Sequence, residues 1–253
     1  MNSNEIVALV TGGASGLGEA TVRSIISNGG KAAVLDLNVS DGEALAKEFP
    51  GSVIFSRTDV TDSSSVQAAI DFCISEFGLL NAVVNCAGIA IVEKTIGKNG
   101  VHSLAEFEKA IDINISGSFN VSRLAALAME KNDVFFGGER GIIINTASVA
   151  AFDGQKGQVA YAASKGAVAS MTLPMARDLA QVGIRVMAIA PGLFMTPMLA
   201  GLPEKTLEVL STQPLFPNRL GTPKEYGELV IFIINAGYLN AEVIRLDGGI
   251  RLP

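Results

Sequence analysis

Residues 5–28 read EIVALVTGGASGLGEATVRSIISN, and the order of residue types in them decides the fold. Glu5–Thr11 is a short, mostly apolar run of strand length, and a helical pattern extends to about Asn28. Between them Gly12, Gly16 and Gly18 are spaced Gly-x-x-x-Gly-x-Gly. Glycine at those positions lets the backbone turn sharply off the strand, approach a pyrophosphate closely and pack the next helix on the sheet. The helix N-terminus then faces the anion. A glycine loop alone is a weak signal, but its place after a first strand strengthens it. Eighteen residues beyond Gly18, a second apolar strand, Ala32–Leu35, ends in Asp36, where an acid that binds ribose hydroxyls is expected. A carboxylate there suits NAD and repels the extra phosphate of NADP, and no arginine follows in Leu37-Asn38-Val39-Ser40. The plain alternative is that Asp36 caps the following helix.

Strands and helices alternate through the rest. Val53–Arg57 leads to Asp59 and Val60, and a helix runs from Thr61-Asp62 to about Phe77. Leu80–Val84 runs into Asn85-Cys86-Ala87-Gly88, small enough to pass close to a flat ring or simply a tight turn. Ile89–Ser103 is a long loop without strong period, suspect as functional for its length. A long helix is predicted from Leu104 to Glu130, with Asn114 buried among Ile111, Ile113 and Ile115; a buried Asn needs partners. Further strands are predicted at Ile142–Ile144, Ile184–Ile189 and Val243–Leu246, and a helix near Pro223–Asn235. The expectation is an α/β Rossmann-type, doubly wound parallel sheet of about seven strands in a single domain covering residues 1–253.

The chemistry is expected between Ile142 and Lys165. Ser148 follows the carboxyl end of a strand, where open α/β sheets bind ligands. Tyr161 and Lys165 are four residues apart in an Ala-rich helix, so phenol and ammonium share a face. Such a pair also occurs on solvated helix faces. Functionally, a neighbouring cation favours phenolate, so Tyr161 is expected to have a lowered pKa and to exchange a proton with a substrate oxygen that Ser148 holds. Downstream, Pro191-Gly192 ends a strand. Leu193, Phe194, Met195, Met198, Leu199, Leu202, Leu207, Leu210, Leu215 and Phe216 then form an apolar, Pro-punctuated segment. It is expected to be a lid over an apolar substrate at about residues 193–216.

The composition supports a large core: 253 residues, 49% hydrophobic and 17% charged, with 27 glycines. A formal charge of −6 argues against a general affinity for nucleic acid or anionic membranes. Cys73 and Cys86 have no disulfide or zinc spacing and fit a reducing compartment. With His102 the single histidine, expected on a surface loop, no metal site is expected. No stretch reads as a signal peptide or membrane span, so a soluble intracellular protein is expected, in a bacterial cytoplasm or a mitochondrial matrix.

Thr11-Gly-Gly-Ala-Ser-Gly-Leu-Gly18, Asn85-Cys-Ala-Gly88, Asn114, Ser148, Tyr161-x-x-x-Lys165 and Pro191-Gly192 together resemble the short-chain dehydrogenase/reductase family over nearly the whole chain. The resemblance implies NAD as cofactor, lined by Gly12, Ser15, Gly16, Leu17, Gly18, Asp36, Asp59, Val60 and the run Asn85–Gly88. Pro191, Gly192, Phe194 and Thr196 would lie toward the nicotinamide. It implies Tyr161 as acid/base, Ser148 as the group on the substrate oxygen, Lys165 on the nicotinamide ribose, and Asn114 as holder of a relay water. Gln158 and Leu199 would join Ser148 and Tyr161 against the substrate. The implied reaction is reversible oxidation of a secondary alcohol with an apolar body, a 3-hydroxyacyl-CoA or a hydroxysteroid. The implied assembly is a homotetramer packed through the helices around Leu104–Glu130 and Val159–Leu179. The loop 91–104 departs from the resemblance, being shorter and poorer in lysine. The alternatives are another NAD(H)-dependent alcohol dehydrogenase or ketone reductase of the family, an NADP-dependent ketoacyl reductase, disfavoured by Asp36, and a scaffold subunit that keeps the fold without catalysis.

Overall fold

Alternation along the strands divides the interior into two cores. The computed structural model describes residues 1–98, 100–201 and 203–252, without the side chains of Phe136, Met198 and Thr206. Seven parallel strands form the sheet: β1 (Val7–Thr11), β2 (Lys31–Asp36), β3 (Val53–Arg57), β4 (Ala82–Asn85), β7 (Gly141–Thr146), β8 (Ile184–Pro191) and β9 (Val243–Leu246). Their spatial order is β3-β2-β1-β4-β7-β8-β9. Ile142 and Ile144 of β7 face one side, with Val22 and Ile25 of α1 (Gly16–Ser27), Leu45 of α2 (Val39–Glu48) and Tyr226, Val230 and Ile233 of α9 (Pro223–Asn235). Ile143 faces the other, with Ile70 of α3 (Ser63–Phe77), Val121 and Met129 of α5 (Ser118–Met129) and Met175 of α6 (Val159–Leu179). Period-two alternation in a strand covered on both faces gives this division. All three isoleucines are fully buried, and each such side chain contributes about 1.5–3 kcal/mol relative to exposure.

Local signals set the helix ends. Asp62 accepts the Ser64 amide at 2.8 Å before α3, and Gly78, at φ 77°, ends it. Thr222 and Glu225 cap each other's backbone amides at the start of α9, with Pro223 in the first turn. The chain builds β1, β2 and β3 outward in one direction and then returns to place β4 on the other side of β1. The order of the strands thus reverses between β1 and β4, and ligands bind open α/β sheets in the crevice at the carboxyl edge beside such a switch point.

Several expectations need correction. The first strand begins at Val7 because Ser3–Glu5 form a 3₁₀ turn. The fourth begins at Ala82, since the Asn81 carboxamide accepts the Val7 amide and donates to the Glu5 carbonyl. The loop 89–103 contains a small antiparallel hairpin, β5 (Ile96–Gly97) with β6 (Gly100–Val101). The long helix is interrupted: α4 (Leu104–Ile111) and α5 are joined by a π-helical turn, Asp112–Gly117, that holds Asn114. One extra residue in that turn rotates the following face, a device that periodicity does not reveal. His102 is not a surface residue. Its side chain is 8% exposed, its Nδ1 lies 3.0 Å from the Glu93 carbonyl, and its Nε2 is buried without a hydrogen-bond partner. The apolar segment beyond β8 forms α7 (Pro197–Ala200) and α8 (Glu204–Ser211). Leu202 lies outside the described residues, as does the Met198 side chain.

Candidate active site

The glycine loop is built for close approach. Gly12 and Gly16 adopt positive φ, 61° and 56°. A Cβ on Gly18 would collide with the Gly12 carbonyl, and one on Gly12 would meet the Ala87 amide at 2.9 Å. Ser15 precedes the first turn of α1, and Leu17 packs into the core below. Asp36 does not cap α2, a task taken by Asn38. Its carboxylate accepts the Ala14 amide at 3.1 Å and the Asn38 amide at 3.0 Å, tying the end of β2 to the glycine loop. Asp59 lies at the same edge; its Oδ1 accepts the Thr61 amide and hydroxyl, which hold its pKa below the ordinary value. Val60 is buried, with its carbonyl bound by Asn120.

After β4 the chain turns toward the end of β1. Cys86 and Ala87 both donate their amides to the Thr11 hydroxyl at 3.1 Å. Asn85 differs from its neighbours: its side chain points inward, to Asn145 at 2.9 Å and Ser122 at 3.0 Å, and does not reach the crevice. Gly88 lies under two functional groups, since a Cβ there would be 3.0 Å from Asn114 Oδ1 and 3.5 Å from Lys165 Nζ. Across the crevice, Pro191 ends β8, and Gly192 donates to Leu246 with Asp247 too close for any side chain. A Cβ built on Gly16 would lie 3.7 Å from the Thr196 side chain, so the loop after β8 comes close to the glycine loop. Phe194 is 6% exposed, its ring against Gly221.

Ser148, Tyr161 and Lys165 are brought together. Ser148 follows β7 by two residues and starts a 3₁₀ turn by accepting the Ala150 amide at 3.1 Å. The Ser148 hydroxyl lies close enough to the Tyr161 phenol to act on its pKa. Lys165 is buried, its Nζ 5.9 Å from the Tyr161 ring centre, and it donates to the Thr146 carbonyl at 2.7 Å. Burial pushes the Tyr161 phenol above its ordinary pKa, against the opposing effect of Ser148, and burial lowers Lys165 to about 8. The expected lowering of the phenol by Lys165 is therefore corrected. The ammonium is directed at a carbonyl, and removal of the phenol from water outweighs the rest.

Asn114 is fully buried, and its carboxamide is fully engaged. Oδ1 accepts the Ile89 amide at 2.8 Å, and Nδ2 donates to Ile89 O and Ser164 Oγ, each at 2.9 Å. Both amide hydrogens are spent within the protein, and the backbone carbonyl accepts from Ser118 at 2.8 Å. Its visible task is to pin the loop after Gly88 to α6. Gln158 lies one residue before α6, accepting the Gln155 amide at 3.0 Å, and Leu199 is half-buried on α7. A cavity of about 110 Å³ opens beneath the segment after β8, lined by Leu193, Phe194, Pro214 and Pro217. Thr146, Ser164 and Tyr226 were not singled out in the sequence, and Thr11 only as part of the glycine motif; each reaches the site through tertiary contacts.

A glycine cradle that any Cβ would fill, an acid fixed 18 residues on and a phenol beside a serine at the carboxyl edge fit a dinucleotide and an alcohol carbon side by side. The chain belongs to the short chain dehydrogenase family, whose model matches residues 6–207. Its class is that of NAD(H)-dependent oxidoreductases acting on small molecules. The chain is 53% identical to 3-hydroxyacyl-CoA dehydrogenase type-2 of Homo sapiens over 98% of this chain and 95% of that protein. It is 52% identical to the protein of the same name in Drosophila melanogaster, over 97% of each. A crystal structure of 3-hydroxyacyl-CoA dehydrogenase type-2 from Mycobacterium avium superposes with a TM-score of 0.93 at 39% identity, covering 98% of this chain and 96% of that one. Among the described residues, no helix is long and apolar enough to cross a membrane.

Proposed function

We propose that this chain oxidises 3-hydroxyacyl-CoA to 3-ketoacyl-CoA, reversibly, with NAD as hydride acceptor. The observation that carries the proposal is the convergence of three groups: Ser148 at the end of β7, the Tyr161 phenol whose pKa it lowers, and Lys165 with its Nζ 5.9 Å from the phenol ring centre. NAD supplies the chemistry of hydride acceptance when bound. Gly12, Ser15, Gly16, Leu17 and Gly18 would hold its pyrophosphate side and Asp36 its ribose hydroxyls. Asp59, Val60, Cys86, Ala87 and Gly88 would flank the adenosine half, with Asn85 contributing backbone alone, and Pro191, Gly192, Phe194 and Thr196 the nicotinamide half. Ser148 donates to the substrate oxygen and keeps it against Tyr161. Tyr161 takes the hydroxyl proton in oxidation and returns it in reduction. Lys165 stabilises negative charge on Tyr161 and presents its other hydrogens to the nicotinamide ribose. Asn114 holds the wall of this pocket in place.

Residues 193–216 form the lid in this proposal, with Leu199, Gln158 and the exposed Met195, Leu215 and Phe216 meeting the apolar body of the substrate. The exposed Phe119, Leu127 and Leu173 on α5 and α6 support a homotetramer packed through those helices. Sedimentation at micromolar concentration is expected to give four copies, and a monomer would remove that part. Cys73 and Cys86, both free, are consistent with a soluble protein in a reducing intracellular compartment.

The test is one assay with purified protein. 3-Hydroxybutyryl-CoA and NAD are expected to yield NADH absorbance, with NADP at least about tenfold poorer in kcat/KM because Asp36 repels its phosphate. Turnover of hydroxysteroids alone would replace the substrate. A preference for NADPH and ketoacyl thioesters would replace the direction and the cofactor.

A further inference from the structure

The ladder between β4 and β7 stops one step early, and the interrupted bond falls to Lys165. Ile142 donates to Asn81, and the register Ala82↔Ile142 to Asn85↔Asn145 continues that pattern. One step further, the Ala87 amide would meet the Thr146 carbonyl. Ala87 instead donates to the Thr11 hydroxyl, because the chain after β4 has turned toward β1. The Thr146 carbonyl is thus free of that ladder bond and accepts Lys165 Nζ at 2.7 Å. A carbonyl at a strand end has more freedom than one inside a ladder, so something else must fix its direction.

That fixing comes from the opposite face of the sheet. Thr146 has the parity of Ile142 and Ile144, and its side chain points toward α9. There Tyr226, fully buried, places its hydroxyl 2.7 Å from Thr146 Oγ1. Thr146 Oγ1 also donates to Cys86 Sγ at 3.6 Å, and Cys86 Sγ lies 3.9 Å from the Tyr226 hydroxyl. We infer that Tyr226 is a positioning residue for the reaction: through Thr146 it clamps the end of β7 so that the Thr146 carbonyl holds Lys165 beside Tyr161.

The inference rests on the role proposed for Lys165. It does not rest on packing alone, because a phenylalanine would fill the same space in the core of α1 and α9. The hydroxyl is what distinguishes the two, and its partner is one carbonyl removed from the ammonium. The titratable groups around that ammonium among the described residues are Tyr161 on its own helix, Cys86 after β4 and, beyond Thr146, Tyr226. Losing a well-aimed carbonyl disfavours the charged form of Lys165. The basic side of the pH profile should then move to lower pH.

Tyr226→Phe is expected to lower kcat about three- to tenfold while leaving the Kd for NAD within about twofold. The basic fall of kcat for ketone reduction should move down by about half a pH unit or more. Thr146→Val should reproduce both effects, and Thr146→Ser, which keeps the hydroxyl, should recover most of the loss. The double variant Tyr226→Phe/Thr146→Val should be no worse than either single change, since both break one tether. The carbon-13 shift of the Lys165 ε-carbon, titrated in lysine-labelled protein, reads the same displacement without any turnover. A lower melting temperature with an unmoved profile and an unmoved Lys165 titration would make Tyr226 merely structural, and additive losses in the double variant would also overturn the inference. If instead Lys165→Ala keeps full turnover in the parent protein, the functional proposal has failed and not the tether. Should Tyr226→Phe fold poorly, the Thr146 pair decides alone.

Discussion

At the residue scale, Lys165 carries the sharpest conflict between stability and function. Its pKa falls from 10.5 to about 8 on folding, chiefly through burial. A lysine so shifted costs stability while it is charged: the cost is complete below pH 8 and disappears as pH rises toward 10.5, where the unfolded chain still binds the proton that the folded chain has released. Lys165→Met is therefore expected to stabilise the protein at neutral pH by about 1–3 kcal/mol, less whatever the bereft Thr146 carbonyl costs, and to abolish turnover. Thermal unfolding checks it, and a lower melting temperature would mean that the ammonium is better solvated than its burial implies. The same two groups set the pH dependence. Tyr161, raised by burial, keeps its proton at neutral pH and is ready to donate it to a ketone. Ketone reduction should hold up to about pH 8 and fall as Lys165 loses its charge, while alcohol oxidation should rise with pH because the proton must leave Tyr161. Steady-state profiles in both directions measure this, and parallel profiles would refute it.

At the element scale, the sheet near β8 depends on a buried ionic cluster in which Glu139 accepts from both Arg185 and the Met1 ammonium. Arg185 in β8 donates to Glu139 at 2.7 Å and to the carbonyls of Ile233, Ile234 and Leu239 at 2.9–3.0 Å, satisfying the frayed C-terminal end of α9. Arg185→Ala leaves Glu139 with the Met1 ammonium as partner but three carbonyls bare, so a loss of about 2–4 kcal/mol in unfolding free energy is expected by denaturant titration. A loss below about 1 kcal/mol would mean that water replaces the guanidinium. Elements were largely legible in the sequence where periodicity and turn residues agree: Val53–Arg57, Pro223–Asn235 and Val243–Leu246 lie where they were expected. The π turn at Asp112–Gly117 was not, because one inserted residue leaves the apolar spacing nearly unchanged while rotating Asn114 inward. His102 was misplaced for a related reason. A short polar loop reads as solvated, and only tertiary contacts, the Glu93 carbonyl and the Phe107 ring 6.3 Å away, show the ring to be packed.

At the scale of the whole molecule, topology does what no motif can. Returning the chain across β1 to β4 creates the crevice, and that same return turns the Ala87 amide away from Thr146. The glycine spacing, Asp36 and the Tyr161-x-x-x-Lys165 pair were visible because each is local in sequence. The bonds that join them, Thr11 to Ala87, Asn114 to Ser164 and Tyr226 to Thr146, span 76, 50 and 80 residues. Pairings at that separation leave no mark on periodicity. Stability and chemistry meet at this edge, where polar side chains are buried under the helices of both faces. The most direct measurement is turnover and NAD binding of Tyr161→Phe in parallel. NAD affinity within about threefold of the parent and a fall in kcat of about a hundredfold or more are expected, since a single oxygen is removed from the proton path. A variant that turns over 3-hydroxybutyryl-CoA at the parental rate would contradict the assignment of Tyr161 as the proton-transferring group.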